Sequence, residues 1–315
     1  MSVISSPLSV AESVRDQLKS GKRDAQGRSF SLLLQLSLAL SILILLVLLY
    51  DVVTGGWSVL GTRLEDFLAA PMRSQAADSG VAQGIRGTFF IGLFTVVISF
   101  PMGVAAAIYL EEYGGKGRLA RFIDINIRNL AGVPSVVYGI LGLTIFVKAM
   151  GDFTGPNSNG RSVVAAGLTL AVLVLPIVII TAAEALRAVP QGLREAGYGV
   201  GATRWEVTRH HVLPYAAPGI LTGTVLALAR ALGEAAPLIL VGATTGFLTG
   251  GSSYQIGALT ERFTALPIII ATWAGRPGDD WEAVTAAAIV VLLGVVLLAN
   301  TAAILLRNRF EKTRK

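Results

Sequence analysis

Two ionisable residues, Arg230 and Glu234, stand alone in an otherwise apolar stretch from Val212 to Leu248. A guanidinium and a carboxylate four residues apart share one face of a helix, and two uses follow. The pair is either an internal ion pair that fixes helix packing or a charged group lining a polar pathway. Pro237 cannot donate to the Gly233 carbonyl, so a kink or break is expected beside the pair. Other reactive sets are poorer. His210-His211 has no second pair or acid cluster at ligand spacing, so no metal site is expected. Gly114-Gly115-Lys116-Gly117 fails the phosphate-loop template, because glycine follows the lysine and no glycine stands five residues before Gly115. Cysteine is absent and no nucleophile is matched with a base, so no catalytic residue is expected.

The elements that hold Arg230 and Glu234 must lie in lipid. The 315 residues are 53% hydrophobic and only 15% charged, with a mean hydropathy of +0.66, which excludes an ordinary soluble fold. The 35 glycines show no three-residue period, so a collagen-like chain is excluded too. About 20 helical residues at roughly 1.5 Å each cross the roughly 30 Å hydrocarbon layer. Uncharged runs of that size cover Leu32–Leu49 and Gly87–Leu110, and Leu130–Val147, Val163–Ala183 and Ala283–Leu306 follow. Val212–Leu248 adds a crossing of about 20 to 25 residues followed by an interfacial or re-entrant piece. An all-α polytopic membrane protein with six transmembrane helices is therefore expected. The first span has no small-residue cleavage site and reads as retained.

Basic residues orient the spans. With the N-terminus inside, the inner segments hold 18 Lys and Arg and the outer loops 7, which places both termini in the cytoplasm. Counting acids as well, the inner segments carry +8 and the outer loops −2. The net charge of +6 thus belongs to the membrane's inner face and needs no nucleic-acid partner. Trp57, Trp273 and Trp281 fall near the outer boundary as interfacial anchors would, and Asp51 to Arg86 reads as a long external loop.

The loop from Glu184 to Pro214 is the most structured of the inner segments. Pro190 suits the first position of a short helix, and Gly199 to Gly201 interrupts the helical pattern. Thr203-Arg204-Trp205-Glu206 has capping-box spacing. Two short helices joined at a glycine turn are expected, suited to contacting a protein or to lying on lipid headgroups.

Glu195-Ala196-Gly197, three residues, Gly201, nine residues, then His211-Val212-Leu213-Pro214 resembles the EAA motif of ABC importer permeases in both gaps. It departs from the pattern at Gly197, where the family has Ala, and at His211, where it has Ile. The stretches Leu130 to Gly139 and Ala229 to Leu238 resemble phosphate-specific importer permeases, and Ala265-Leu266-Pro267 with Trp273 and Pro277 resembles their PstA type. The resemblance covers about residues 85–306 and implies a type I ABC importer permease fold of five helices there. Residues 1–31 then form a cytoplasmic segment, 32–84 the first helix and external loop, and 307–315 a basic cytoplasmic tail. It further implies that Glu195, Ala196, Gly197, Gly201, Leu213 and Pro214 belong to a coupling element that docks in a cytoplasmic ATPase. Phosphate would pass Arg230 and Glu234 beside a kink at Pro237. The implied partners are a PstC-type second permease, a PstB-type ATPase dimer using ATP and Mg, and an external PstS-type phosphate-binding protein. The implied location is the inner membrane of a prokaryote, and no cofactor is expected in this chain. A permease for another anion and an ion-coupled secondary transporter are the alternatives; the latter often shows inverted repeats with paired broken helices, and only one Arg/Glu site is present.

Overall fold

The computed structural model describes residues 25–115, 117–243 and 259–312, and every element among them is helical. Two compact units divide the chain, residues 1–52 and 53–315. Helix α1 (Ala25–Ala69) supplies the described part of the first unit and opens the second. Within the first unit the large apolar side chains from Leu32 to Leu49 are exposed all round the helix. A helix apolar on every face is stable where its solvent is lipid.

The second unit continues with α2 (Ala82–Ile108), which ends in a wide π-turn at Tyr109–Tyr113. Then come α3 (Arg118–Ala131), α4 (Ser135–Leu141), a second wide turn at Gly142–Val147, and α5 (Lys148–Ser158). Helix α6 (Val163–Arg187) is followed by α7 (Gln191–Gly199) and α8 (Arg204–Val207), which runs through a third wide turn, Thr208–Val212, into α9 (Leu213–Gly233). Helices α10 (Ala236–Val241), α11 (Leu266–Trp273) and α12 (Asp279–Lys312) complete the order. Six runs among the described residues are long and apolar enough to cross a membrane: Gly27–Ala69, Ala82–Tyr113, Ser135–Thr154, Val163–Arg187, Arg204–Gly233 and Asp279–Arg309.

Several boundaries differ from the expectation, each for a physical reason. Residues 51–69, expected as loop, are helical apart from Arg63, whose φ of −141° and ψ of 38° kink the run. Gly55 and Gly56 mark close helix approach there instead of a turn, since a Cβ on Gly56 would stand 2.8 Å from the Ala287 backbone nitrogen of α12. The irregular part begins after Ala69, where Arg63 donates to the carbonyls of Ala76, Ala77 and Ser79 and organises the turn before α2. The third span begins at Ser135, and Leu130 instead lies in the last turn of α3. Pro134, with φ −56° and ψ 138°, separates the two helices because its ring cannot continue the helical ladder. Trp273 is no interfacial anchor: it is fully buried on α11, with Phe67 and Trp281 ring centroids 6.4 and 5.8 Å away, whereas Trp57 is exposed. The basic tail is helical as far as Lys312, while residues 1–24, Lys116, 244–258 and 313–315 lie outside the described residues.

Helix α6 is the centre of the second unit and packs on α2, α3, α4, α9 and α10. Small residues let its neighbours come close. Gly103 of α2 leaves space that Val178 fills, and Gly223 of α9 leaves space that Thr181 fills. Close approach of this kind replaces the hydrophobic driving force that lipid does not supply between membrane helices.

Candidate functional site

Helix α9 carries Arg230 into its last turn and stops one turn later. Glu234 has extended backbone angles, φ −79° and ψ 119°, so it caps the helix instead of continuing it. The interruption lies at Glu234 and Ala235, and Pro237 is buried inside the first turn of α10 beyond it. A proline is tolerated there because the first N–H groups of a helix have no intrahelical partner. The missing Cβ of Gly139 admits α10 against α4, since one built there would lie 2.8 Å from Pro237 Cα. Val241 similarly fills the space beside Gly142. The apolar run is therefore broken into α9 and α10, with the charged pair at the joint.

Arg230 Nε and Glu234 Oε1 are 3.4 Å apart, a long single contact. The Arg230 side chain is 46% exposed and that of Glu234 20%. Among the described residues the Arg230 Nη groups make no hydrogen bond, so the planar fork remains available to an oxyanion. Charge at mid-membrane costs about 2.5 to 3.5 kcal/mol on insertion scales, and such groups face protein or a water-filled space. The guanidinium stands in the last turn of α9, the end of a helix that favours a cation. Nearby, the Tyr138 hydroxyl donates to Leu130 O over 2.8 Å and ties α4 to the end of α3.

The second candidate element is the hairpin from Pro190 to Pro214. Pro190 stands just before α7, one place earlier than expected, with φ −56° and ψ 135°. Gly201 has φ +85°, the left-handed geometry that glycine adopts without strain. Both halves of the capping box are made: Thr203 Oγ1 accepts from Glu206 N, and Glu206 Oε2 accepts from Thr203 N over 2.8 Å. The second helix of the pair is not free-standing, because α8 passes directly into α9. Pro214 lacks the N–H that would bond to His210 O, and the ladder widens at Thr208–Val212, where Leu213 N reaches Thr208 O. Leu213 and Pro214 thus form the first turn of α9. The departure at Gly197 has a steric cause, since a Cβ there would stand 2.7 Å from Val207 Cγ2. Glu195 and Ala196 are exposed on α7, and Tyr198, Val200 and Trp205 are exposed on the same hairpin.

Two ion pairs that sequence reasoning missed stand at the base of this hairpin, and one of them anchors it. Arg194 of α7 meets Glu112 at 2.7 Å, with side chains only 15% and 5% exposed, and also donates to Leu186 O and Val189 O. Arg187 meets Glu111 at 2.6 Å. The signal was present as two adjacent acids closing an apolar run, but their partners lie 76 and 82 residues away. Beneath the pairs, Leu186, Val189, Val207 and Val212 are buried in one apolar cluster. The pairs and the cluster thereby tie α7 to the ends of α2, α6 and α9. No cluster of three or more metal-ligating side chains occurs among the described residues.

Residues 99–312 match a family described as binding-protein-dependent transport system inner membrane component. The phosphate transport system permease protein PstA of Yersinia pestis is 34% identical over 267 residues, covering 85% of this chain and 84% of its own length. The phosphate transport system permease protein PstC of Mesorhizobium japonicum is 31% identical over 323 residues, covering 93% of this chain and 94% of its own. Among solved structures, an inward-facing MetNI methionine ABC transporter superposes with a TM-score of 0.53 at 22% identity, over 73% of this chain and 94% of that chain. The likeness places the fold among ABC importer permeases.

Proposed function

We infer that this chain, which belongs to the family of binding-protein-dependent transport system inner membrane components, is the PstA-type permease of an ATP-driven phosphate importer. Its 34% identity to a PstA permease over 85% of the chain is the observation that carries the substrate. The chain is a transport subunit: it supplies half of the pathway, and ATP with Mg is used on a PstB-type ATPase dimer. A PstC-type permease supplies the other half, and an external PstS-type protein delivers phosphate.

Each part of the geometry has a use in this reading. Phosphate meets the open fork of Arg230 at the joint between α9 and α10, and Glu234 competes for the same donors so that the anion is released again. Rigid-body motion of the ATPase enters through the 190–214 hairpin, where exposed Glu195 offers a charged contact and Tyr198, Val200 and Trp205 an apolar one. Both termini lie in the cytoplasm of a prokaryotic cell, the side favoured by basic residues.

Orientation is tested by cysteine labelling, since the chain has no native cysteine. Ser74→Cys, at an exposed position, is expected to react with an impermeant reagent added outside intact cells, and Gly199→Cys, also exposed, to stay protected. Labelling of Gly199→Cys with protection of Ser74→Cys overturns the orientation. For function, the chain is coexpressed with its neighbouring permease and ATPase, purified as a complex and reconstituted with the binding protein. ATP-dependent phosphate uptake is expected. Uptake of a different anion instead identifies another ABC importer, and uptake driven by an ion gradient without ATPase identifies a secondary transporter.

A further inference from the structure

Arg161 stands at the other end of α10 from the Arg230–Glu234 joint. Its backbone is held from both sides. Arg161 N donates to Ser158 O at 2.9 Å, Ser158 Oγ donates to Thr154 O at 2.9 Å, and Gly160 N donates to Thr154 Oγ1 at 2.8 Å. Ser158 and Ser162 are both buried, and Ser162 caps α6 by accepting from Ala165 N. The side chain is placed just as firmly. Gly242 closes α10 with φ +103°, and a Cβ there would stand 2.5 Å from Arg161 Cδ and 3.0 Å from Arg161 Nε. The arginine stem therefore lies where any other residue at 242 would put its side chain.

The guanidinium beyond that stem is exposed and has no acidic or carbonyl partner among the described residues. Three arginines set the contrast. Arg63 is satisfied by backbone carbonyls, and Arg187 and Arg194 by carboxylates. An arginine whose backbone and stem are fixed while its fork is free is arranged as an oxyanion site. Helix α10 is about 9 Å long at 1.5 Å per residue, so it leads from this fork to the joint that carries Arg230.

We propose that Arg161 is an outer oxyanion station, which takes phosphate at the external mouth and hands it along α10 to Arg230. The proposal rests on the phosphate-import reading and on the orientation that places residues 148–162 outside. The outer loops carry more acids than bases, and within a Debye length of about 8 Å a local guanidinium outweighs that diffuse repulsion. The ion pair and hydrogen bonds described for the 190–214 hairpin do not involve Arg161, so coupling to the ATPase is not expected to depend on its charge.

The test uses the complete transporter in proteoliposomes with phosphate-loaded binding protein outside, reading phosphate uptake and ATP hydrolysis together. Arg161→Gln is expected to lower uptake about tenfold, the loss of one charge-assisted contact. Stimulation of ATP hydrolysis by the loaded binding protein, and the concentration of that protein giving half-maximal stimulation, are expected to stay unchanged. Phosphate moved per ATP then falls by the same factor, and Arg161→Lys recovers a large part of it. Wild-type phosphate per ATP in Arg161→Gln overturns the proposal while leaving the importer reading intact. Loss of stimulated ATP hydrolysis together with uptake, without rescue by lysine, also overturns it, because that is the signature of a structural role. A wild-type complex that imports no phosphate overturns the importer reading and this proposal with it.

Discussion

Arg230→Gln is expected to abolish phosphate uptake, at least about a hundredfold, while the variant still assembles with its partner permease and ATPase. Losing a bidentate charge-assisted contact removes on the order of 3 kcal/mol or more from the bound anion, and each 1.4 kcal/mol is about tenfold. Assembly survives because the pair does little structural work. Its one contact is 3.4 Å long, Arg230 is nearly half exposed, and Glu234 sits on a backbone that has already left the helix. An exposed ion pair contributes only about 0 to 1 kcal/mol. Arg230→Lys keeps the charge but not the planar fork and is expected to retain part of the uptake. Full uptake by an assembled Arg230→Gln transporter would remove Arg230 from the pathway, and loss of assembly would assign it to helix packing. Uptake is read in proteoliposomes, and assembly by copurification of all subunits.

Length and charge made the six crossings legible, because an uncharged run of about 20 residues has few alternatives to a membrane. The hairpin was legible as well: capping at Thr203 and Glu206 is local, and both of its hydrogen bonds are made. What escaped depends on partners distant in the chain. Gly55-Gly56 reads equally as a break or as a close contact, and only Ala287 decides for the contact. Trp273 reads as an anchor until α11 is found buried beside Phe67. At Arg230 the residues announced a break, but placing it at Glu234 instead of Pro237 required the backbone angles. The wide turn before α9 shows the same limit, since Pro214 demands a local adjustment without saying whether the helix kinks or widens.

The clamp between Arg194 and Glu112 is where a single substitution is expected to do the most structural damage. Arg194→Ala leaves the Glu112 carboxylate, 5% exposed, without its cation, and takes a donor from Val189 O and from Leu186 O, the latter keeping only Val189 N and the Ala188 cap. Breaking a buried pair by removing one partner costs about 3 to 5 kcal/mol, because the remaining charge stays desolvated. Arg128, 41% exposed, sets the contrast with its pair to Asp124 in the same helix and its 3.7 Å contact with exposed Glu184: Arg128→Ala is expected to cost under about 1 kcal/mol. Helix α7 is only nine residues long and has no cap from a side chain, so its position depends on this anchor. Arg194→Ala should therefore lower the melting temperature of the purified complex and uncouple ATP hydrolysis from uptake, and Arg128→Ala should do neither. Replacing both partners by apolar residues, Arg194→Met with Glu112→Leu, removes the stranded charge and is expected to recover more thermal stability than either single change. Coupling should recover less, since an apolar contact cannot restore the hydrogen bonds that hold α7 to the ends of α2 and α6. An Arg194→Ala complex with unchanged melting and unchanged phosphate per ATP would refute the clamp, and the hairpin would then owe its position to the apolar cluster beneath it.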